Sequence, residues 1–200
     1  MRHLCLGFLF LLSAACHGQT NDAIAHGKAL TSSCVACHGA DGNGQISVFP
    51  KLAGQPHRYL LKQLDDIQSG KRPVPQMATL LDKYSAQDLS DIAAYFANQR
   101  TRIGQASADT LEQGEALYRF GNPDTAVPAC ASCHGPAGKG LNSAAFPALS
   151  GQFKAYTKTQ LNDFKSGKRN NDAASMMQTI ARKLSAEEID AVSDYLQGLH

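Results

Sequence analysis

The sequence predicts an all-α protein built from two tandem, related domains. Three observations carry that reading. Apolar residues recur at helical spacing, with no alternating strand pattern of useful length. The stretch CVACHGADGNG at residues 34–44 returns as CASCHGPAGKG at residues 130–140. The match then continues outside that motif, which marks an internal duplication. Phe49-Pro50 aligns with Phe146-Pro147, Gly54-Gln55 with Gly151-Gln152, Tyr59 with Tyr156, and Gln63-Leu64 with Gln160-Leu161. Ser69-Gly70-Lys71-Arg72 aligns with Ser166-Gly167-Lys168-Arg169. After a three-residue insertion in the second half, Met77 meets Met177, Ser85 meets Ser185 and Tyr95 meets Tyr195. The expected domains are residues 19–100 and 111–200, joined by a polar linker at 101–110.

Taken in order, the first eighteen residues read as an export signal. Arg2 precedes an apolar run from Leu4 to Leu12, and small residues follow. The run is too short to span a bilayer comfortably. Cleavage after Ala15 or Gly18 fits; a lipid anchor at Cys16 fits less well, because Ser13 stands where an aliphatic residue is wanted. Asp22 to Ser33 leads helically to the first motif. Pro56 to Gln68 forms a second helix, with Pro56 suited to a first turn. Ser85 and Asp88 make a capping box for a third, whose stripe is Leu89, Ile92, Tyr95 and Phe96. The second half repeats it with Ser185, Glu188, Ile189, Val192, Tyr195, Leu196 and Leu199. Loops rich in Gly and Pro, 39–54 and 135–151, lie between helices.

The formal net charge of +2 and the lack of a basic cluster argue against a nucleic-acid partner. Domains of this size bury a modest share of their surface, and the chain has no Trp. Something else should fill each centre.

The repeated motif supplies it. On a helical turn, Cys34, Cys37 and His38 share a face, as do Cys130, Cys133 and His134. Cys-x-x-Cys-His is the pattern of c-type haem attachment: two thiols form thioethers and the imidazole reaches the iron. A thioredoxin-like dithiol would need a strand–helix context that is missing. A zinc site would need closer spacing than the 96 residues between motifs. Two covalent haem c groups are therefore expected, with His38 and His134 as proximal iron ligands. Met77 and Met177 occupy matching places and are the candidate sixth ligands, with Pro73 and Pro75 stiffening the approach to Met77. Met176 competes with Met177. His26 and His57 lack counterparts and read as surface residues; His200 is terminal. With both axial positions filled, the irons suit outer-sphere electron transfer rather than haem-centred catalysis.

At these residues the chain resembles the dihaem cytochrome c4 family over essentially its whole mature length. The carrying features are CVACHG with PQM at 75–77, CASCHG with SMM at 175–177, and the repeated Gly-Gln…Tyr…Gln-Leu…Ser-Gly-Lys-Arg segment. The resemblance implies two class I cytochrome c domains related by a pseudo-twofold axis, with haem propionates near the interface. It implies close helix crossings at Gly27 and Gly114, near Tyr95 and Tyr195. Arg72 and Arg169 are candidate propionate partners, as against solvated arginines after a turn. It also implies a periplasmic electron carrier, with possible peripheral membrane association. Its redox partners would be a quinol-oxidising complex and a terminal oxidase. The rival readings are a haem subunit of a periplasmic or membrane-bound dehydrogenase, and a dihaem enzyme acting on thiosulfate or peroxide.

Overall fold

A computed structural model describes residues 21–200. The export signal and Cys16 lie outside the described residues. Helix α1 covers residues 21–30, and a 3-10 turn at Thr31–Ser33 leads into the short α2 (Val35–His38). Then come α3 (His57–Gln68) and α4 (Ala86–Ala97). The second half repeats the plan with α5 (Ala108–Phe120), α6 (Ala131–His134), α7 (Lys154–Ser166), α8 (Met176–Lys183) and α9 (Ala186–Gly198). Among the described residues, β-structure is limited to two isolated bridges, Asn122 with Val127 and Leu141 with Phe146.

The late helices start where their caps dictate. Asp88 N–H donates to Ser85 Oγ at 3.2 Å, and Ser85 N–H donates back to Asp88 Oδ2 at 2.9 Å. Ser185 and Glu188 repeat the exchange at 3.1 and 2.8 Å. Each box satisfies two donors that a helix start would otherwise leave open. The apolar stripes behind them form two separate cores. Leu60, Leu89, Ile92 and Phe96 centre the first, and Leu117, Tyr118, Ile189, Val192 and Leu196 the second. Each such side chain, taken from water, contributes roughly 1.5–3 kcal/mol.

The first and last helices of each domain cross at a glycine. A Cβ on Gly27 would lie 1.9 Å from the Asp91 carbonyl oxygen. A Cβ on Gly114 would lie 2.4 Å from Ala191 O and 2.6 Å from Tyr195 Cβ. The Gly114 crossing thus involves Tyr195 directly, whereas at Gly27 the nearest atoms belong to Asp91 and Ile92 rather than Tyr95.

The segment between domains is anchored to both. Arg102 N–H donates to Asn43 Oδ1 at 2.7 Å, and Gly104 N–H donates to Gln197 O at 2.9 Å. Asp194 Oδ2 accepts from Ser107 N–H at 2.6 Å, just before α5 starts at Ala108. The polar stretch expected as the linker, 101–110, is thus bonded to both domains, and α5 begins inside it.

The two halves differ most at the methionines. In the first, residues 75–83 form turns and bends. In the second, Met176 and Met177 open α8, after Ala174 (φ 51) and Ser175 (φ 53) in the left-handed region. The N-cap Ser175 makes no capping bond, and Asp172 reaches the first turn from further back: Gln178 N–H donates to Asp172 Oδ2 at 3.1 Å. The carboxylate satisfies one open first-turn donor of a helix that the first half lacks.

Contacts between the domains come in reciprocal pairs. Arg72 donates to Tyr156 Oη (3.1 Å) and Gln160 Oε1 (2.9 Å). Arg169 donates to Tyr59 Oη (3.2 Å) and Gln63 Oε1 (3.0 Å). Gln55 bonds both peptide groups of Ala148, and Gln152 bonds both of Lys51. When residue i meets j and the counterpart of j meets the counterpart of i, the interface is isologous, the mark of a twofold relation.

Candidate haem crevices

Each domain encloses an apolar crevice that opens at its short motif helix. Cys34, Cys37 and His38 line the first, with Leu60, Leu64 and Ile67 of α3 and Ile92 and Phe96 of α4. Its volume is about 470 Å³. The second, of about 260 Å³, is lined by Cys130, Cys133 and His134, with Leu161 and Phe164 of α7 and Val192 and Leu196 of α9. Met77 lines the first crevice; Met176 and Met177 both line the second.

The imidazoles are held the same way in both domains. His38 Nδ1 lies 2.9 Å from Pro50 O, and His134 Nδ1 lies 3.0 Å from Pro147 O. A carbonyl can only accept, so Nδ1 carries the proton and Nε2 is left as the ligand atom. The preceding residue of each Phe-Pro pair packs on the same ring, Phe49 at 6.3 Å and Phe146 at 6.1 Å between centroids. Burial lowers the pKa of both histidines, more than the carbonyl bonds raise it. The neutral imidazole, the form that binds metal, is thereby favoured. The repeated Phe-Pro dipeptide was the sequence signal for this support, although its role emerges only from the fold.

The thiols are half-buried at the crevice mouths. Burial raises the Cys34 pKa and pushes that of Cys130 up to about 11. Met177 is half-buried on the same side of α8 as the fully buried Ala181, while Met176 is 39% exposed. His26 bonds Asp91 Oδ2 at 2.7 Å with half its side chain exposed, and His57 Nε2 meets Ser90 O at 3.1 Å. Neither lines a crevice.

The arginines are not solvated. Arg169 is 8% exposed and stacks on Phe164 at 4.5 Å, besides its bonds across the interface. Tyr59 shows their field: burial opposes its ionisation, yet Arg169 and Arg72 outweigh that and hold its pKa below the ordinary value. Tyr59, Gln63, Tyr156, Gln160 and Arg169 line both crevices, so the two cavities share a wall.

This setting fits a haem. The donor set is two thiols and an imidazole with Nε2 uncommitted, and the walls are apolar. Thr157 Oγ1, buried on the wall of the second crevice, has no hydrogen-bond partner among the described residues, as suits an atom facing a polar group of a bound cofactor. Two helical domains, each folded around a cavity of this kind, define a dihaem c-type cytochrome.

The comparisons with known proteins agree. The cytochrome c family profile matches residues 24–100 and 111–200. Cytochrome c4 from Pseudomonas aeruginosa is 51% identical over 98% of this chain and 96% of its own length. The crystal structure of reduced recombinant cytochrome c4 from Pseudomonas stutzeri superposes with a TM-score of 0.85, at 48% identity over 87% of this chain and 97% of that one. A more distant relative, the thiosulfate dehydrogenase electron acceptor of Stutzerimonas stutzeri, is 39% identical over 81% of this chain and 76% of its own. The chain belongs to the cytochrome c4 family. It carries two covalent haem c groups, at Cys34/Cys37 and Cys130/Cys133, and its function is dihaem electron transfer.

Proposed function

We propose that the protein is an exported, periplasmic carrier that passes single electrons between respiratory partners, from a quinol-oxidising complex toward a terminal oxidase. His38 and Met77 would hold one iron, and His134 and Met177 the other. When bound, each haem supplies a reversible one-electron Fe(III)/Fe(II) couple. The chain's own residues do the rest. The cysteines tether, and the Pro50 and Pro147 carbonyls orient the imidazoles. Leu60, Ile92 and Phe96, with Leu161, Val192 and Leu196 opposite, exclude water. The Met177 assignment draws on its inward face of α8, against the exposure of Met176.

The observation that carries this reading is the wall shared by the crevices. It sets the two redox groups side by side, the arrangement a relay needs and a single-site enzyme does not. Among the described residues no helix is long and apolar enough to cross a membrane.

A second reading has one specific support, the relative whose printed role is electron acceptor for thiosulfate dehydrogenase. On that reading the donor is a sulfur-oxidising dehydrogenase, and the protein serves as its haem partner. Reduction of the oxidised holoprotein by a thiosulfate dehydrogenase with its substrate tests this second reading, and failure to reduce it would refute it; reoxidation by membranes tests the first. The ascorbate-reduced holoprotein is mixed with respiratory membranes, and its reoxidation is followed with and without cyanide. Cyanide-sensitive reoxidation is expected; no reoxidation would refute the oxidase route. Thiosulfate or peroxide added to the isolated protein should change its oxidation state only slowly. Rapid turnover would replace the carrier reading with the enzymatic one.

A further inference from the structure

Each proximal histidine is linked by hydrogen bonds to the opposite domain. Gln152, in the second domain, accepts from Lys51 N–H at 2.9 Å and donates from Nε2 to Lys51 O at 3.0 Å. The Lys51 N–H belongs to the same peptide unit as Pro50 C=O, which accepts the His38 Nδ1 proton at 2.9 Å. A continuous chain therefore runs from the Gln152 amide oxygen, through one peptide group, to the first domain's imidazole. The mirror chain runs from Gln55 Oε1 to Ala148 N–H (3.0 Å), then from Pro147 C=O to His134 Nδ1 (3.0 Å). The Gln55 Nε2 bond to Ala148 O, at 2.8 Å, completes the second pair.

Gln55, Gln152, Lys51 and Ala148 are all at most 7% exposed, so water does not compete for these groups. The glycine before each glutamine sets the geometry. Gly54 (φ 69) and Gly151 (φ 74) lie in the left-handed region and donate to Phe96 O and Leu196 O, the last turns of their own domains. Each glutamine thus leaves its home core and reaches across.

We propose that Gln152 and Gln55 are positioning residues that set the donor strength of the opposite domain's histidine, so each domain tunes the reduction potential of the other's haem. This rests on the haem ligation proposed above. A peptide whose N–H donates to the glutamine amide oxygen is polarised, and its carbonyl becomes a better acceptor. A better acceptor at Nδ1–H makes the imidazole a stronger base toward iron, which favours Fe(III). Removing the glutamine amide therefore favours Fe(II) in the opposite domain.

The test is Gln152→Met and Gln55→Met in the full-length holoprotein. Redox titration is followed by NMR, where each haem's methyl resonances report separately. Gln152→Met should raise the reduced-to-oxidised ratio of the first-domain haem at least about threefold at fixed solution potential, roughly 28 mV at about 59 mV per decade. The second-domain haem should move less. In the reduced protein the His38 Nδ1 proton should shift upfield, while that of His134 holds. Gln55→Met should give the mirror result. If either variant fails to accumulate, Gln152→Asn or Gln55→Asn, which shortens the reach by one methylene, is read the same way. Equal shifts in both haems, a larger shift in the substituted domain's own haem, or no shift would overturn the proposal. Lack of two haems by mass would instead refute the ligation on which it rests.

Discussion

Gly114→Ala tests how tightly the second domain is closed, and its cost can be worked from the crossing of α5 and α9. The new methyl would sit 2.4 Å from Ala191 O and 2.6 Å from Tyr195 Cβ. Ordinary carbon contacts begin near 3.5 Å, so the helices must part by about 1 Å. Neither neighbour can turn aside, since one is backbone and the other a Cβ. Overpacking of this kind costs about 1–3 kcal/mol, and the upper end applies where nothing can rotate away. The gain from replacing Gly by Ala in a helix returns about 1 kcal/mol. A net loss of about 2 kcal/mol remains. In a protein of this length that lowers the melting midpoint by roughly 4–8 °C, and by about twice that if the second domain melts alone. The assay is thermal unfolding of the holoprotein by circular dichroism, with haem content checked by absorbance. An unchanged or higher midpoint would show that α5 and α9 are not in the contact described, and the account of the crossing would fall.

Further outcomes follow from other sites. Met177→Leu should remove the long-wavelength methionine-to-iron band from one haem, and Met77→Leu from the other, while Met176→Leu leaves the spectrum intact; the reverse result at 176 and 177 would reassign the ligand. Arg169→Leu should cost about 2–4 kcal/mol in guanidinium unfolding, because Tyr59 Oη loses its Arg169 donor and Phe164 its stacked guanidinium. Arg169→Lys should not restore the loss, since one ammonium cannot reproduce the planar fork. Burial would raise the Asp66 pKa, but the bonds from Lys62 and Asn171 hold it below the ordinary 3.8. Its share of stability is thus complete above that value and is lost as pH falls through the lower folded one. Asp66→Asn should flatten that acid limb in pH-dependent melting; an unchanged slope would remove Asp66 from the account.

Local chemistry was the readable part of this sequence. Cys-x-x-Cys-His names its own cofactor, and a cap such as Ser85 with Asp88 announces a helix within a few residues. Duplication extended that legibility, because it matched Met77 to Met177 and exposed the repeated Phe-Pro and Gly-Gln pairs. Why those pairs recur was not readable. Pro50 O meets His38 only after the loop folds back, and Gln152 meets Lys51 only when two domains dock. Such partners lie far apart in the chain, and nothing in composition or periodicity encodes them. The arginines show the same limit: the sequence offered propionate partners or solvated side chains, and neither reading pointed to the Tyr and Gln of the opposite domain. Helix α8 was not legible because its N-cap Ser175 makes no capping bond, and the carboxylate that reaches its first turn, Asp172, lies outside any capping-box spacing.

The crossed arginines bear on how this duplication can change. Arg72 and Arg169 divide their donors between a glutamine of their own repeat and a Tyr-Gln pair of the neighbouring one, so a single repeat expressed alone would lose the second set of partners and open that buried face to water. Each half has become the other's solvent. A lineage that lost one copy would have to re-engineer the survivor's face before it could stand in water.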